Sequence, residues 1–347
     1  MSAYPIIILH KGNHDYLKVC IKQAKYSNPD SRIILIGDNS NKKLAFDAGI
    51  EHYLIGNYFK SAFEFAKIYS HHSTNDYNYE LFCFQRWFII LDFINSQGID
   101  KFIHIDSDVL LFKNFYSDAN YLCAIKKYDF LHCGYSAHAS VFNSKDVLLH
   151  FCDFINNMFL DKSFMSQFLT KKNSDKIIYK VNNAIYYANP PLSDMCAVKF
   201  FALCDDVKSL DLSSVILDDG IMCNNFDVNA DFAPFGRVCC VIYDKNNQPF
   251  FVSNNTSPLA FIKAHSLHFQ DQKKRLISLY STYDKNEQIK TLAFSDRDLS
   301  YIFNVQIVKI KKSLFMKMAS ALAKFLIPSK ELRIKIRERL TGQIYFG

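Results

Sequence analysis

Two carboxylates, Asp106 and Asp108, stand one residue apart at the end of the apolar run Phe102-Ile103-His104-Ile105. Such a run, bounded by charge, reads as a central buried strand, and open α/β sheets bind ligands at the carboxyl ends of their strands. Carboxylates are costly to place there without a cation. Two hard oxygen donors at i and i+2, aimed into one crevice, suit a divalent metal that keeps positions open for phosphate oxygens. The bland alternative is that Asp106-Ser107-Asp108 is a polar turn that ends a strand. The tripeptide alone is a weak signal, and its place after an apolar strand is what favours the metal.

The elements that must position these carboxylates are legible upstream. A first strand at Pro5 to His10 is followed by the turn Lys11-Gly12-Asn13-His14-Asp15 and a helix from Tyr16 to Tyr26. The turn Asn28-Pro29-Asp30-Ser31 leads to a second strand, Arg32 to Gly37, ending in Asp38, then a short helix at Asn41 to Ala48 and a strand at His52 to Leu54. Strand, helix, strand alternation implies a parallel sheet with right-handed crossovers. A long helix, Glu80 to Ser96, carries Phe84, Trp87, Phe88, Leu91 and Ile94 on one face and is stopped by Gly98. Beyond the Asp-Ser-Asp the pattern is less regular. It predicts strands at Tyr121 to Ile125 and Ala137 to Phe142, and helices at Lys145 to Met158 and Ser193 to Cys204. A hairpin follows at Val238 to Tyr243 and Phe250 to Ser253, then a core segment at Ala264 to Phe269 and a helix from Lys273 to Tyr283.

Composition bounds the answer. With 347 residues and 49% apolar content, including 32 Phe and 20 Tyr, the chain can bury a sizeable core, and disorder is not expected. Ten cysteines without a Cys-x-x-Cys pair read as reduced core residues of a cytosolic protein. Met1 to Pro5 lacks the basic segment of a signal peptide, and no stretch reaches the apolar length of a membrane span. Charge is uneven. Residues 305 to 347 hold ten Lys or Arg against two acids, a net of +8, whereas the rest holds 31 basic and 32 acidic residues, a net of −1. Nucleic-acid binding by the main body therefore has no electrostatic support.

A nucleotide-binding half ending in Asp106-Ser107-Asp108, a mixed half, and a late His268-Phe269-Gln270-Asp271-Gln272-Lys273-Lys274 together resemble the GT-A class of nucleotide-sugar glycosyltransferases, in particular glycosyltransferase family 8. The resemblance covers residues 5 to 275. It implies an α/β fold of the GT-A type, a Rossmann-like mixed sheet with flanking helices, and Mn²⁺ or Mg²⁺ held by Asp106, Asp108 and His268. Asp106 would also meet the nucleotide ribose, and Lys274 the diphosphate. A metal there would act as a Lewis acid on the leaving nucleotide. The family motif is His-Phe-x-Gly-x-x-Lys, and this chain departs from it with Asp271 in place of the glycine and Arg275-Leu276 in place of Pro-Trp. A surface histidine is the plainer reading of His268.

Further residues are placed by position in the same pattern. Arg86, within Gln85-Arg86-Trp87, sits where the family has an arginine that reaches the donor, and its guanidinium fork suits phosphate and sugar oxygens. Its structural alternative is a surface pair with Glu80 or Asp92. Lys11 and Tyr16 follow the first strand, where the base would lie, with Tyr16 on the base or in the core; Asp38 would meet base or ribose. Asp194 opens a helix after Pro190-Pro191-Leu192-Ser193, either as a first-turn acid favoured by the helix dipole or as the carboxylate that aids sugar transfer, and the roles are compatible. Asp218-Asp219-Gly220, Asn224-Asn225 and Asn254-x-Thr256 read as turns or loops, and the pair His71-His72 is poor metal evidence.

Ser313 to Leu326 forms an amphipathic pattern, and the basic segment Lys330 to Arg339 follows it. This suits an anionic membrane surface or a helix packed on the domain or on a second copy. The organisation expected is a catalytic domain over 1–290, with a nucleotide-binding half over 1–112 and an acceptor-side half over 113–290, and a basic helical tail over 291–347. The activity implied is metal-dependent transfer of a sugar from a nucleotide diphosphate donor, UDP favoured, to a hydroxyl of a glycan or lipid-linked glycan, in the cytoplasm or on the inner face of the membrane, as in cell-surface polysaccharide or lipopolysaccharide synthesis. A nucleotidyltransferase and a non-catalytic nucleotide-sugar binding protein are the alternatives.

Overall fold

The computed structural model describes residues 3–73, 75–115, 119–134, 136–161, 163, 179–181, 184–186, 193–212, 220–222, 241–243, 249–253, 260–269, 274, 277–278 and 280–283. The chain divides into two compact units, Met1–Phe226 with Ile262–Ile289, and Asp227–Phe261 with Lys290–Gly347. The predicted amphipathic tail and the loops at 218–219, 224–225 and 254–256 lie outside the described residues, as does most of the predicted helix at 273–283.

In the first unit the alternation of the N-terminal third becomes β1 (Ile6–Leu9), α1 (Asp15–Ser27), β2 (Ile33–Gly37), α2 (Lys42–Ala48) and β3 (Glu51–Leu54). The helices α3 (Lys60–Ile68) and α4 (Tyr77–Gln97) follow, then β4 (Phe102–Ile105) and β5 (Val109–Leu111). Continuous Ile and Leu runs in β1 and β2 are buried on both faces, as strands flanked by helices on each side require. Gly98 ends α4 in a left-handed conformation with φ 62°, the stop its sequence announces.

The second half of this unit supplies α5 (Ala119–Lys127), β6 (Phe130–Cys133), β7 (Ser136–Phe142) and α6 (Lys145–Leu160). After these come the small hairpin β8 (Tyr179–Val181) and β9 (Ala184–Tyr186), α7 (Asp194–Phe201), β10 (Ser209–Asp211) and β11 (Gly220–Met222). The seven-stranded sheet has the order β10-β6-β7-β4-β1-β2-β3. Pairs β3·β2, β2·β1, β1·β4 and β6·β10 are parallel, and β7 runs antiparallel to both β4 and β6. The Rossmann-like mixed α/β sheet with flanking helices is therefore the architecture observed. The apolar residues pack in two clusters. One is built on Trp87, Phe84, Phe130 and Phe151, and the other on Leu17, Ile21, Ile103 and Tyr121.

One element differs from expectation. Tyr121 to Ile125 is part of α5 and not a strand. Tyr-Leu-Cys-Ala-Ile favours a strand by residue type, but Tyr121, Ala124 and Ile125 are the buried positions, and spacings of three and four are helical. Several elements had no sequence counterpart, among them α3, β6 and β10, which are short or flanked by polar residues.

In the second unit β12 (Val241–Tyr243) and β13 (Pro249–Ser253) form the expected antiparallel hairpin, with Ile242 opposite Phe250. The strand β14 (Ala260–His268) brings the chain back to the first unit, where it pairs antiparallel with β5 and parallel with β11.

Candidate active site

The site grows out of the carboxyl ends of β1, β2 and β4, as strand direction in a parallel sheet dictates. After β4, Asp106 donates its backbone N–H to His138 O at 2.8 Å, and Val109 N returns to Asp106 O at 3.2 Å, closing a tight turn around Ser107. The chain then leaves as β5. Its pairing with β14 sets His268 opposite Val109, and Phe269 N donates to Asp108 O at 3.0 Å. A histidine distant in sequence is thereby delivered beside the two aspartates by strand register alone.

Asp106, Asp108 and His268 each offer a ligand atom, and these atoms all lie within 4.8 Å of one another. Asp108 Oδ1 is sealed from solvent and takes no hydrogen bond of good angle from any described residue, although His268 Nε2 stands 3.3 Å away. Its other oxygen, Oδ2, meets Lys274 Nζ at 3.0 Å. Two carboxylates, one of them with this sealed oxygen, and an imidazole form a donor set that fits a hard or borderline divalent ion. The ring of His268 is stacked on His138, with centroids 4.3 Å apart and an interplanar angle of 16°, which fixes its plane.

Arg86 bridges two carboxylates. Its Nη1 donates to Asp106 Oδ1 at 2.6 Å and its Nη2 to Asp194 Oδ2. The expected surface alternatives are not its partners, since Asp92 binds the backbone and hydroxyl of Ser61 instead. The guanidinium also lies over the Trp87 ring, 4.8 Å from its centroid. Asp194 opens α7, whose N-cap is Ser193 with its side chain on Cys196 N, so Asp194 is free of capping duty and turns to Arg86. His104, a lone histidine in an otherwise apolar strand, meets Asp106 Oδ1 at 3.3 Å through Nε2 and Ile7 O at 3.1 Å through Nδ1.

The electrostatics divide the three acids. Burial pushes the Asp106 carboxyl up, but Arg86, with His104 and His268 behind it, holds it well below the ordinary range. Asp108 is also lowered, burial and Asp106 being outweighed by His268 and Lys274. Asp194 moves the other way. Burial dominates, and the charges of Glu80 and Asp106 add to it against the pull of Arg86, so its pKa is raised. Lys274 is raised, since Asp108 overcomes the effect of burial.

The outer rim is built by the β1–α1 turn. Gly12 adopts φ 92°, a conformation that favours glycine, and its N–H donates to Asp38 Oδ2 at 2.7 Å. Asp38 also caps Ser40, so it ties the ends of β1 and β2 together. Tyr16 stacks on His14 at 5.1 Å with an angle of 21°, and Lys274 Nζ lies 5.1 Å from the Tyr16 ring. Lys11 Nζ rests over Phe82 at 4.0 Å, away from the aspartates' own contacts. The structure thus brings Asp106, Asp108, His268, Lys274, Arg86 and Asp194 into contact in two groups, Arg86 with Asp106 and Asp194, and Asp108 with His268 and Lys274, with Tyr16 joined to the second through Lys274, while Asp38 and Lys11 serve the rim. His71 and His72 bond Tyr69 and Ser70 instead. Sequence reasoning passed over His104 and His138 and weighed Glu80 only as a surface partner of Arg86. The signal for two of them was present, as a histidine within a buried strand and a glutamate one turn before Phe84 on the apolar face of α4.

No protein-family model and no curated protein matches the chain. Among solved structures it is similar to mouse xyloside xylosyltransferase 1 in its apo form, at 8% identity over 67% of this chain and 90% of that one, with a TM-score of 0.41. It is also similar to an active-site mutant of LgtC, at 12% identity over 80% of this chain and 94% of that one, with a TM-score of 0.39. A third is the cytidylyltransferase of Leptospira borgpetersenii serovar Hardjo-bovis, at 12% identity over 49% and 72% of the two chains and a TM-score of 0.30.

Proposed function

We propose that this chain is a metal-dependent glycosyltransferase, moving a sugar from a nucleotide diphosphate donor, with UDP favoured, to a hydroxyl of a glycan or lipid-linked glycan. The observation that carries the reading is the convergence of Asp106, Asp108 and His268 within 4.8 Å at the carboxyl end of a parallel sheet, with Lys274 on Asp108. Asp106, Asp108 and His268 would hold Mn²⁺ or Mg²⁺, which when bound neutralises a diphosphate and stabilises charge on the departing nucleotide.

The chain's own residues supply the rest. Lys274, a point charge beside Asp108, offers its ammonium to phosphate oxygens. Tyr16 presents an aromatic face on the rim for a base. Arg86 holds Asp106 and Asp194 in fixed relation, and its donor geometry suits oxygens of phosphate or sugar entering between them. Asp194, with its raised pKa and its place beside Arg86, is the carboxylate assigned to the transfer step, under the donor sugar or against the acceptor hydroxyl. The organisation proposed is a catalytic domain over 1–290 with the basic segment 291–347 as an appendage that meets an anionic membrane surface.

The test is a screen of nucleotide sugars with Mn²⁺, Mg²⁺ or chelator, scored by release of nucleoside diphosphate with and without glycan acceptors. Metal-dependent release of UDP supports the reading. Release of pyrophosphate from a nucleoside triphosphate and a sugar phosphate would replace it with nucleotidyl transfer.

A further inference from the structure

Glu80 lies in the first turn of α4 and is 1% exposed, yet no lysine or arginine pairs with it among the described residues. A buried carboxylate without a cation is expensive unless neutral donors surround it. Here Oε2 accepts from Ser73 Oγ at 2.9 Å and from Asn75 Nδ2 at 2.7 Å, and Oε1 accepts from the backbone N–H of Asp194 at 3.3 Å. That N–H is the first of α7, so the positive ends of two helices, α4 and α7, meet on one anion. From Glu80 the contacts run through Asp194 to Arg86 and on to Asp106.

We propose that Glu80 is a positioning residue for sugar transfer. By gripping the first N–H of α7 together with the side chains of Ser73 and Asn75, it sets where the Asp194 carboxylate stands and hence how Arg86 is divided between Asp194 and Asp106. Without it, the first turn of α7 loses its anchor, and a misplacement of about 1 Å at a reacting group can cost about 10²-fold in rate. The inference rests on the transferase reading, and its test has one arm that does not.

The full chain is compared with E80A, E80D, E80Q and D194N. Trp87 is the chain's one tryptophan, and the Arg86 guanidinium lies over its ring, so its emission registers displacement of Arg86. E80A is expected to move that emission in the same direction as D194N. E80D, which retracts the carboxylate by one methylene, does so to a smaller degree, and E80Q, which keeps an acceptor for the N–H, restores most of the wild-type signal. In the activity arm E80A lowers kcat about 10²-fold while the donor KM and the Mn²⁺ affinity change less than about threefold. Wild-type emission in folded E80A or E80D overturns the proposal, as does a loss confined to KM. If the unmodified chain turns over no nucleotide sugar, the transferase reading falls, and the emission comparison still decides whether Glu80 positions Asp194.

Discussion

Replacing Asp108 by Asn tests the metal site at its most buried oxygen. In the metal-free protein the substitution removes the contact with Lys274, whose side chain is 34% exposed, a pair worth about 0.5–1 kcal/mol once solvent screening is counted. It also relieves the repulsion between Asp108 and Asp106, which has the opposite sign. The fold should therefore survive with a stability change of about 1 kcal/mol. With metal the balance differs. At Mn²⁺ about 100 times its dissociation constant the wild-type chain gains about 2.7 kcal/mol. For a unit of this size that is a rise in Tm of about 5–10 °C, at roughly 2–4 °C per kcal/mol. Groups that merely orient a ligand change metal affinity about 10–100-fold, so losing a ligand should cost at least about 100-fold. At the same Mn²⁺ concentration D108N would then gain only about 0.4 kcal/mol, a rise of about 1 °C. Thermal melts with chelator, Mg²⁺ or Mn²⁺ read this directly. An Mn²⁺-dependent rise in D108N equal to that of the wild type would refute the metal site.

Other expectations follow from the same geometry. Trp87 lies edge-on to His104 at 5.1 Å, and His104 touches Asp106, so paramagnetic Mn²⁺ should quench its emission while Mg²⁺ does not; equal behaviour of the two ions would place the metal elsewhere. R86K keeps a charge but not the fork that bridges Asp106 and Asp194, and turnover should fall about 10²-fold with circular dichroism unchanged, an expectation that full activity would contradict. His10 has its pKa lowered to about 4 by burial, with His14 and Lys274 adding to it. An unfolded histidine protonates near 6.5, so the stability His10 contributes as a neutral group is complete above about pH 6.5 and is lost as the pH falls toward 4, amounting to about 3 kcal/mol. Denaturant melts across that window should show a shallower decline in H10N than in the wild type, and parallel curves would exclude His10 as the cause.

Much of the sheet was readable because its strands carry their burial in their composition. Ile6 to Leu9, Ile33 to Gly37 and Phe102 to Ile105 are short runs of almost wholly apolar residues with turn or charged residues close on either side, the pattern of a strand buried on both faces. The helices α4 and α6 were readable from apolar spacing and from Gly98, whereas α5 was read as a strand because β-favouring residues outweighed a spacing that spans barely two turns. Within the site, the two aspartates announce themselves, since paired charge at the end of an apolar strand is costly unless a cation or a set of donors meets it. His268 and Lys274 came only with the likeness to a family motif, because nothing local ties residue 268 to residue 108. Glu80 was set aside as a surface partner for Arg86. Its position one turn before Phe84 puts it on the buried stripe of α4, where a carboxylate must find donors, and those donors come from residues 73, 75 and 194.

The pairing of β5 with β14 bears on how this chain can change over generations. Because side chains alternate across a strand, a one-residue slip between Val109–Leu111 and Ser266–His268 would turn His268 to the opposite face of the sheet and leave the aspartates without their imidazole. The register that delivers His268 is written in three residue pairs, and within the intervening stretch β7 and α7 also bear on the site, through His138 against Asp106 and His268 and through Asp194 against Arg86. A loop that joins these elements can change in length without disturbing the three pairs. A single-residue deletion inside either strand would be a far larger event than the loss of a whole loop between them.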